Sequence, residues 1–218
     1  MRLEPCLTNC AHMSWLRRVL TTSIAGVVLV VSACGASPSA RLSKDLIPVP
    51  ALQQTSWGLR IAEASGQTRI PFGVQPSGAP LDTSNIASAE AVAIRQWIHG
   101  SGTLTAGPLP EGIFVVIDRG AHYRSVADAH AVLADLSSGF GTGPSQPVAG
   151  IPGATLLTAP FTFEAPGGQI TGHQELVIIM RGAYVFTVLV VGGGSRPTSS
   201  DAQALATRQA TAIPVSLS

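Results

Sequence analysis

The side chains able to do chemistry in this 218-residue chain are five histidines, three cysteines, a scatter of serines and 12 acidic residues. Their spacing does not assemble a site by itself. His99, His122, His130 and His173 form no HxxxH or HExxH pair, and His122 and His130 stand on either side of a helix start. That is not the i, i+4 geometry of zinc ligands on one helix. Asp118 and His122 could meet in a turn; otherwise each histidine reads as a polar surface residue. No serine occupies a GxSxG frame, because Gly100-Ser101-Gly102 and Gly192-Gly193-Gly194-Ser195 lack it and read as loops of small residues. The glycine-rich Gly139-Phe140-Gly141-Thr142-Gly143-Pro144 follows a helical pattern instead of opening one, so no helix N-terminus backs it as a phosphate cradle. Carboxylates are dispersed, and only the fold could pair two of them. Trp57, Trp97 and Phe72 read as core aromatics, with a wall for acyl chains as the alternative. The expectation is a protein with no catalytic residues, no metal and no cofactor, whose ligand pocket is not legible in sequence.

The cysteines point elsewhere. Trp15, Leu16, Arg17 and Arg18 give a positively charged start, and residues 19–31 (VLTTSIAGVVLVV) give a short apolar run. That run is too short for a membrane-spanning helix, which needs about 20 apolar residues, and falls within the range of a signal-peptide core. It ends in Val31-Ser32-Ala33-Cys34, which resembles the lipobox of bacterial lipoproteins at all of its positions. The resemblance implies a diacylglycerol thioether on Cys34, cleavage between Ala33 and Cys34, and N-acylation of the new terminus. Two or more acyl chains suffice for stable anchoring, so the expected location is the cell membrane, lipid-anchored on its extracytoplasmic face. The alternative is an ordinary secretory signal with an incidental Cys34. Residues 1–12 lie in front of the signal, which makes Met13 the expected start and leaves Cys6 and Cys10 outside the mature chain. With Cys34 acylated there is no thiol left for a disulfide, so the exported domain must hold together by its core alone.

Composition bounds the rest. Charged residues are 11%, apolar residues 45%, and mean hydropathy is +0.34, which excludes a charge-rich disordered chain. The formal net charge of +1 offers no electrostatic footprint for nucleic acid.

The elements that must position any site follow. Residues 1–33 are expected as the signal peptide, 34–50 as the lipidated cysteine and a flexible tether (GASPSARLSKDLIPVP after Cys34), and 51–218 as a single α+β domain. Residues 68–75 alternate but contain Pro71, an edge-strand signature. Residues 89–99 alternate like a strand and also fit a helix opened by Ser84 or Asn85; the strand is preferred. Residues 113–118 (IFVVID) are a continuous apolar run and predict a buried strand. Ser125-Val126-Ala127-Asp128 is a capping box, and Val126, Ala129, Leu133 and Leu136 then share a helical face that Gly139 should end. Residues 155–159 and 161–164 read as strand pieces broken at Pro160. Residues 175–180 (ELVIIM) and 184–191 (YVFTVLVV) are strong strands joined by Arg181-Gly182-Ala183. Ser200-Asp201-Ala202-Gln203 predicts a last capped helix, lined by Ala202, Leu205, Ala206 and Ile213 and ending before Pro214. The expected architecture is α+β, an antiparallel sheet with packed helices in the order β-α-β-β-β-α. The two strong strands are apolar at consecutive positions, so both of their faces must be covered by protein, by a lipid-like ligand or by a partner.

The layout GHQELVIIMRGAYVFTVLVVGG followed by an Ala-rich helix ending TAIP is similar to that of the mycobacterial LpqN and LpqT lipoproteins, over residues 112–215. That resemblance implies a Mog1p/PsbP-like fold and a non-catalytic accessory role in the cell envelope. The functional expectation is a binding or accessory module with an envelope protein or a lipid as partner. A lipid carrier with an apolar cavity and a hydrolase with a dispersed site are the alternatives.

Overall fold

The computed structural model describes residues 38–63, 88–99, 106–140, 144–165 and 167–217. Two short helices come first, α1 (Pro38–Leu42) and α2 (Val49–Gln53), with a 3-10 turn over Ser43–Asp45 between them. Strands β1 (Leu59–Glu63), β2 (Ala91–His99), β3 (Gly107–Pro108) and β4 (Gly112–His122) follow. Helix α3 (Val126–Gly139) precedes β5 (Gln146–Pro147), β6 (Ala154–Ala165), β7 (Gly168–Arg181) and β8 (Tyr184–Gly193), and α4 (Ser199–Ala212) comes last. All of them belong to one compact unit, Ala36–Ser218.

The strands form an 8-stranded sheet in the order β1-β2-β4-β8-β7-β6-β5, antiparallel along this path, with β3 alone adding in parallel to β7 at Gly107 and Ile170. The architecture is therefore α+β, and the segment before residue 112 joins the main sheet through β2. β7 and β8 form the expected hairpin, turning at Gly182, whose φ of 56° lies in the left-handed region that glycine enters without steric cost. The strand reading of residues 89–99 holds. Pro160 does not break β6, because β5 pairs with Thr155 and Leu156 and, among the described residues, no strand pairs with that side of β6 at Pro160, so no donor is needed there.

Two separate cores lie on the two faces of this sheet, as the doubly apolar β7 and β8 require. On the first face Val177, Ile179, Phe186, Val188 and Val190 meet Leu42, Leu46, Ile47 and Leu52 from the N-terminal segment and Ala202, Leu205 and Ala206 from α4. On the second, Leu176, Ile178, Val185, Leu189 and Val191 meet Ala129, Val132 and Leu136 of α3.

The tether expectation is corrected here. Pro38 starts a helix, and Leu42, Leu46 and Ile47 are at most 3% exposed, so residues from 38 onward are a strap built into the core. Ser-, Pro- and Ala-rich composition concealed three aliphatic anchors, of which Leu42 ends a five-residue helix and Leu46 and Ile47 lie in extended chain beyond the 3-10 turn. Gly120 on β4 gives them room. A Cβ there would lie 3.1–3.2 Å from Phe186, Leu42 and Leu46, tighter than most real contacts.

The helix details shift as well. Ser125 caps α3 by accepting the Asp128 amide, as expected, but Val126 is 49% exposed and Val132 takes its place in the core. The last capping box is Thr198 with Asp201 instead of Ser200 with Gln203, each residue's side chain accepting the other's backbone N–H. Residues 1–37, which include Cys6, Cys10, Ala33 and Cys34, lie outside the described residues, as do the expected edge strand at 68–75 with Phe72, the Gly100–Gly102 loop and residues 141–143.

Candidate functional site

β4 carries the two groups that stand out chemically, and their side chains leave it in opposite directions because successive residues of a strand face opposite sides. Asp118 is 0% exposed on the first face. Its Oδ2 accepts the Ile47 N–H at 2.6 Å, and Gln209 Oε1 shares that donor at 3.2 Å. The same strap is held by Arg95, whose guanidinium donates to the carbonyls of Ser43, Leu46 and Ile47 at 2.6–2.9 Å. Trp97 Nε1 donates to Val49 O at 3.3 Å and Gln209 Nε2 to Asp45 O at 2.8 Å. Four polar side chains thus satisfy a backbone stretch that makes few hydrogen bonds of its own. Burial pushes the Asp118 carboxyl up to about 8, against the opposing pull of the Ile47 amide and the Arg95 charge. Asp118 and His122 do not meet. Four residues of extended strand, about 13 Å, separate them, and His122 is instead 3.4 Å from Glu90.

Arg119 points to the second face and is 1% exposed. Nε, Nη1 and Nη2 all lack a hydrogen-bond partner among the described residues. Its cross-strand neighbours are Ile94 on β2 and Thr187 on β8. Gln96, paired with Ile117 on the same face, is also 1% exposed, and its Nε2 is unpartnered among the described residues. Tyr123, fully buried just beyond β4, is close enough for Arg119 to interact with it electrostatically. Burial pulls the Arg119 guanidinium down and pushes the Tyr123 phenol up; each is partly offset by the other. Ile94, Ile98, Val115, Ile117, Leu176 and Leu189 complete this face. The cluster therefore holds five guanidinium N–H groups, an amide NH2 and a phenol in apolar surroundings, with no carboxylate among the buried residues of that core.

Two surface clefts hold the remaining candidates. One, of about 400 Å³, is lined by Arg41, Glu90, His122 and Tyr184, with the His122 and Tyr184 rings 4.4 Å apart. The other, of about 330 Å³, is lined by Trp57, His99, Glu111 and Arg196. There Glu111 accepts the Ser195 hydroxyl at 2.6 Å and the Ser195 amide at 2.9 Å. Those hydrogen bonds hold the fully exposed Glu111 carboxyl below its ordinary range, which makes it a poor base for activating Ser195. Of the histidines, His99 and His122 line different clefts, and His130 lies on α3 and His173 on β7. Glu175, 3% exposed on β7 and raised by burial, receives the Ser199 hydroxyl at 3.4 Å and feels the Asp201 charge. Trp97 is core, with Trp57 half-buried against the same cluster. Among the described residues no three His, Cys, Asp or Glu side chains gather as metal ligands, and no helix is long and apolar enough to cross a membrane.

Sequence reading missed Arg119 and Gln96 altogether. The available signal was an arginine following the apolar run Ile113–Ile117 and Asp118, and a glutamine between Ile94 and Ile98, both at positions where a doubly covered strand should be apolar.

No family model matches the chain, and no curated protein matches it either. Among solved structures, the extracellular domain of PknH from Mycobacterium tuberculosis is similar at a TM-score of 0.48 and 14% identity, over 80% of this chain and 95% of that one. A likeness of that degree says nothing about what this chain binds.

Proposed function

We propose that this protein is a cell-envelope lipoprotein, anchored through acylated Cys34, whose α+β domain works by binding instead of catalysis. The anchor rests on the basic start, the short apolar run and the Val31-Ser32-Ala33-Cys34 box. Residues 35–37 alone would separate the lipidated cysteine from the helix starting at Pro38, a reach of at most ~14 Å. A Mog1p/PsbP-like arrangement and an accessory role beside an envelope partner are what the likeness to the LpqN and LpqT lipoproteins adds, and an antiparallel sheet covered by helices on both faces is compatible with it.

The observation that carries the binding half is the buried Arg119 and Gln96 cluster, whose guanidinium nitrogens and amide nitrogen have no hydrogen-bond partner among the described residues. Desolvated donors of this kind cost free energy unless something accepts from them. Their placement among aliphatic and aromatic side chains favours the lipid-carrier version of the reading.

Intact-mass analysis of the full chain extracted from host membranes tests both halves. Under denaturing conditions the expected species begins at Cys34 and carries acyl additions; retention of residues 1–33 would overturn the anchor. Under native conditions the expected species carries additional non-covalent mass, and a bare chain would overturn the carrier version.

A further inference from the structure

Resting on the binding half of that reading, and not on its lipid-carrier version, we infer that the surface cleft lined by Trp57, the His99 and Phe114 rings, Glu111 and Arg196 is a seat for a neutral pyranose ring of a carbohydrate.

Three properties of the cleft select this class. Its aromatic lining comes first. Trp57 is half-buried against the first core and lines the cleft with the rest of its indole, and the His99 and Phe114 rings, 5.3 Å apart and tilted by 56°, line it as well. A pyranose is amphipathic in the matching way, because its C–H face packs on the electron-rich face of an aromatic ring while its hydroxyls leave from the rim.

Hydrogen-bonding capacity comes second. The two Glu111 oxygens accept from Ser195 at 2.6 and 2.9 Å, and a carboxylate with about four lone-pair sites keeps acceptor capacity beyond that. Arg196 donates from Nη1 to Asp201 at 2.6 Å, and its other N–H groups have no partner among the described residues. Glu111 lies within electrostatic reach of Arg196. Neighbouring hydroxyls, each a donor and an acceptor, can serve a carboxylate and a guanidinium at once. The opposite signs of those two groups favour a neutral polyol over an ion of either charge. In the other cleft the Glu90 carboxylate is already met by His122 at 3.4 Å and by Arg124 at 3.9 Å.

The third property is construction. A Cβ at Gly193 would collide with the carbonyls of Leu109 and Pro110, and one at Gly194 with the Glu111 carboxylate itself. The Gly193-Gly194 turn therefore fits only without side chains, and its close approach brings both Ser195 donors onto Glu111. The carboxylate is held in place before a ligand arrives, which lowers the cost of binding. At about 330 Å³ the cleft is at the small end of ligand sites, fitting a short saccharide. Glu111 is the one carboxylate among its described lining residues, whereas cleavage of a glycosidic bond uses two. The cleft can hold a glycoside without the pair that would cut it.

The test is ligand-observed saturation-transfer NMR of the full chain with methyl glucoside, methyl galactoside, methyl mannoside and choline, followed by titration for Kd. At least one glycoside is expected to bind, with transfer strongest to the C–H protons of one ring face. Trp57→Leu keeps an apolar side chain against the first core, and Glu111→Gln keeps an acceptor for Ser195, so both variants should stay folded. Each should raise the glycoside Kd by at least about tenfold, through lost stacking in the first and a lost charge-assisted hydrogen bond in the second. Glu90→Gln, in the other cleft, should leave it unchanged. Failure of all three glycosides to bind would overturn the seat, while the anchor and carrier readings would still stand or fall on intact mass. Choline binding more tightly than every glycoside would replace the carbohydrate with a cation. An unchanged Kd in either Trp57→Leu or Glu111→Gln, or a raised one in Glu90→Gln, would put the glycoside elsewhere and overturn the assignment.

Discussion

Asp118 and Arg119 are consecutive residues of one strand, equally buried, and the protein treats them in opposite ways. The Asp118 carboxyl on the first face accepts a backbone amide of the strap through Oδ2 at 2.6 Å, has Arg95 within electrostatic reach, and leaves only Oδ1 without a partner among the described residues. The guanidinium on the second face meets no acceptor among the described residues. The polar side chains of the first face finish the fold by satisfying a strap that cannot satisfy itself. On the second face Arg119 and Gln96 Nε2 make no such bond among the described residues, an arrangement that costs free energy wherever it occurs.

Four perturbations break or sharpen this contrast. The largest effect is expected from Leu46→Ala, which empties a fully buried site under the strap. It should cost ~2–5 kcal/mol in chemical denaturation, whereas a change in a flexible tether would stay within ~0.5 kcal/mol. Asp118→Asn should come next. With its carboxyl at about 8 in the folded chain against 3.8 in the unfolded one, the folded state binds the additional proton. Stability is then greatest below pH 3.8 and falls as pH rises towards about 8, where it levels off. In Asp118→Asn that part of the pH slope should vanish, an effect on the order of a few kcal/mol at pH 8 read from denaturation at several pH values. Were the slope unchanged, the carboxyl would not be titrating in this window.

Arg119→Met should act with the opposite sign. Removing an unpaired buried cation is expected to raise the stability of the ligand-free chain by ~1–3 kcal/mol, visible as a higher Tm. A loss of similar size would mean that the guanidinium has a structural partner. The smallest effect is Thr198→Ala, which deletes half of the capping box on α4 and should cost ~1 kcal/mol without altering any ligand behaviour.

Legibility followed the range of the interactions involved. β7, β8 and α3 were readable because continuous apolar runs, a tight Gly182 turn and a Ser125 cap are signals confined to a few neighbouring residues. The last helix was readable too, and its cap fell two residues earlier because a second threonine-to-aspartate pair competed for it. Val126 was misplaced because one helical face can be drawn through either Val126 or Val132, and only the orientation of α3 on the sheet chooses between them.

By itself the sequence determined that the chain has an α+β domain with strands covered on both faces, for a local reason: hydrophobic period and caps act within a turn or a strand. Only the tertiary structure decided that residues from Pro38 onward are core and that Arg119 stands unpartnered. The strap is held by Arg95, Asp118 and Gln209, whose contacts with it span 48 to 164 residues of chain. The isolation of Arg119 is set by what three strands and a helix fail to offer it. Contacts at such separations leave no periodic trace in the sequence, because their cost and their benefit arise only when the sheet closes.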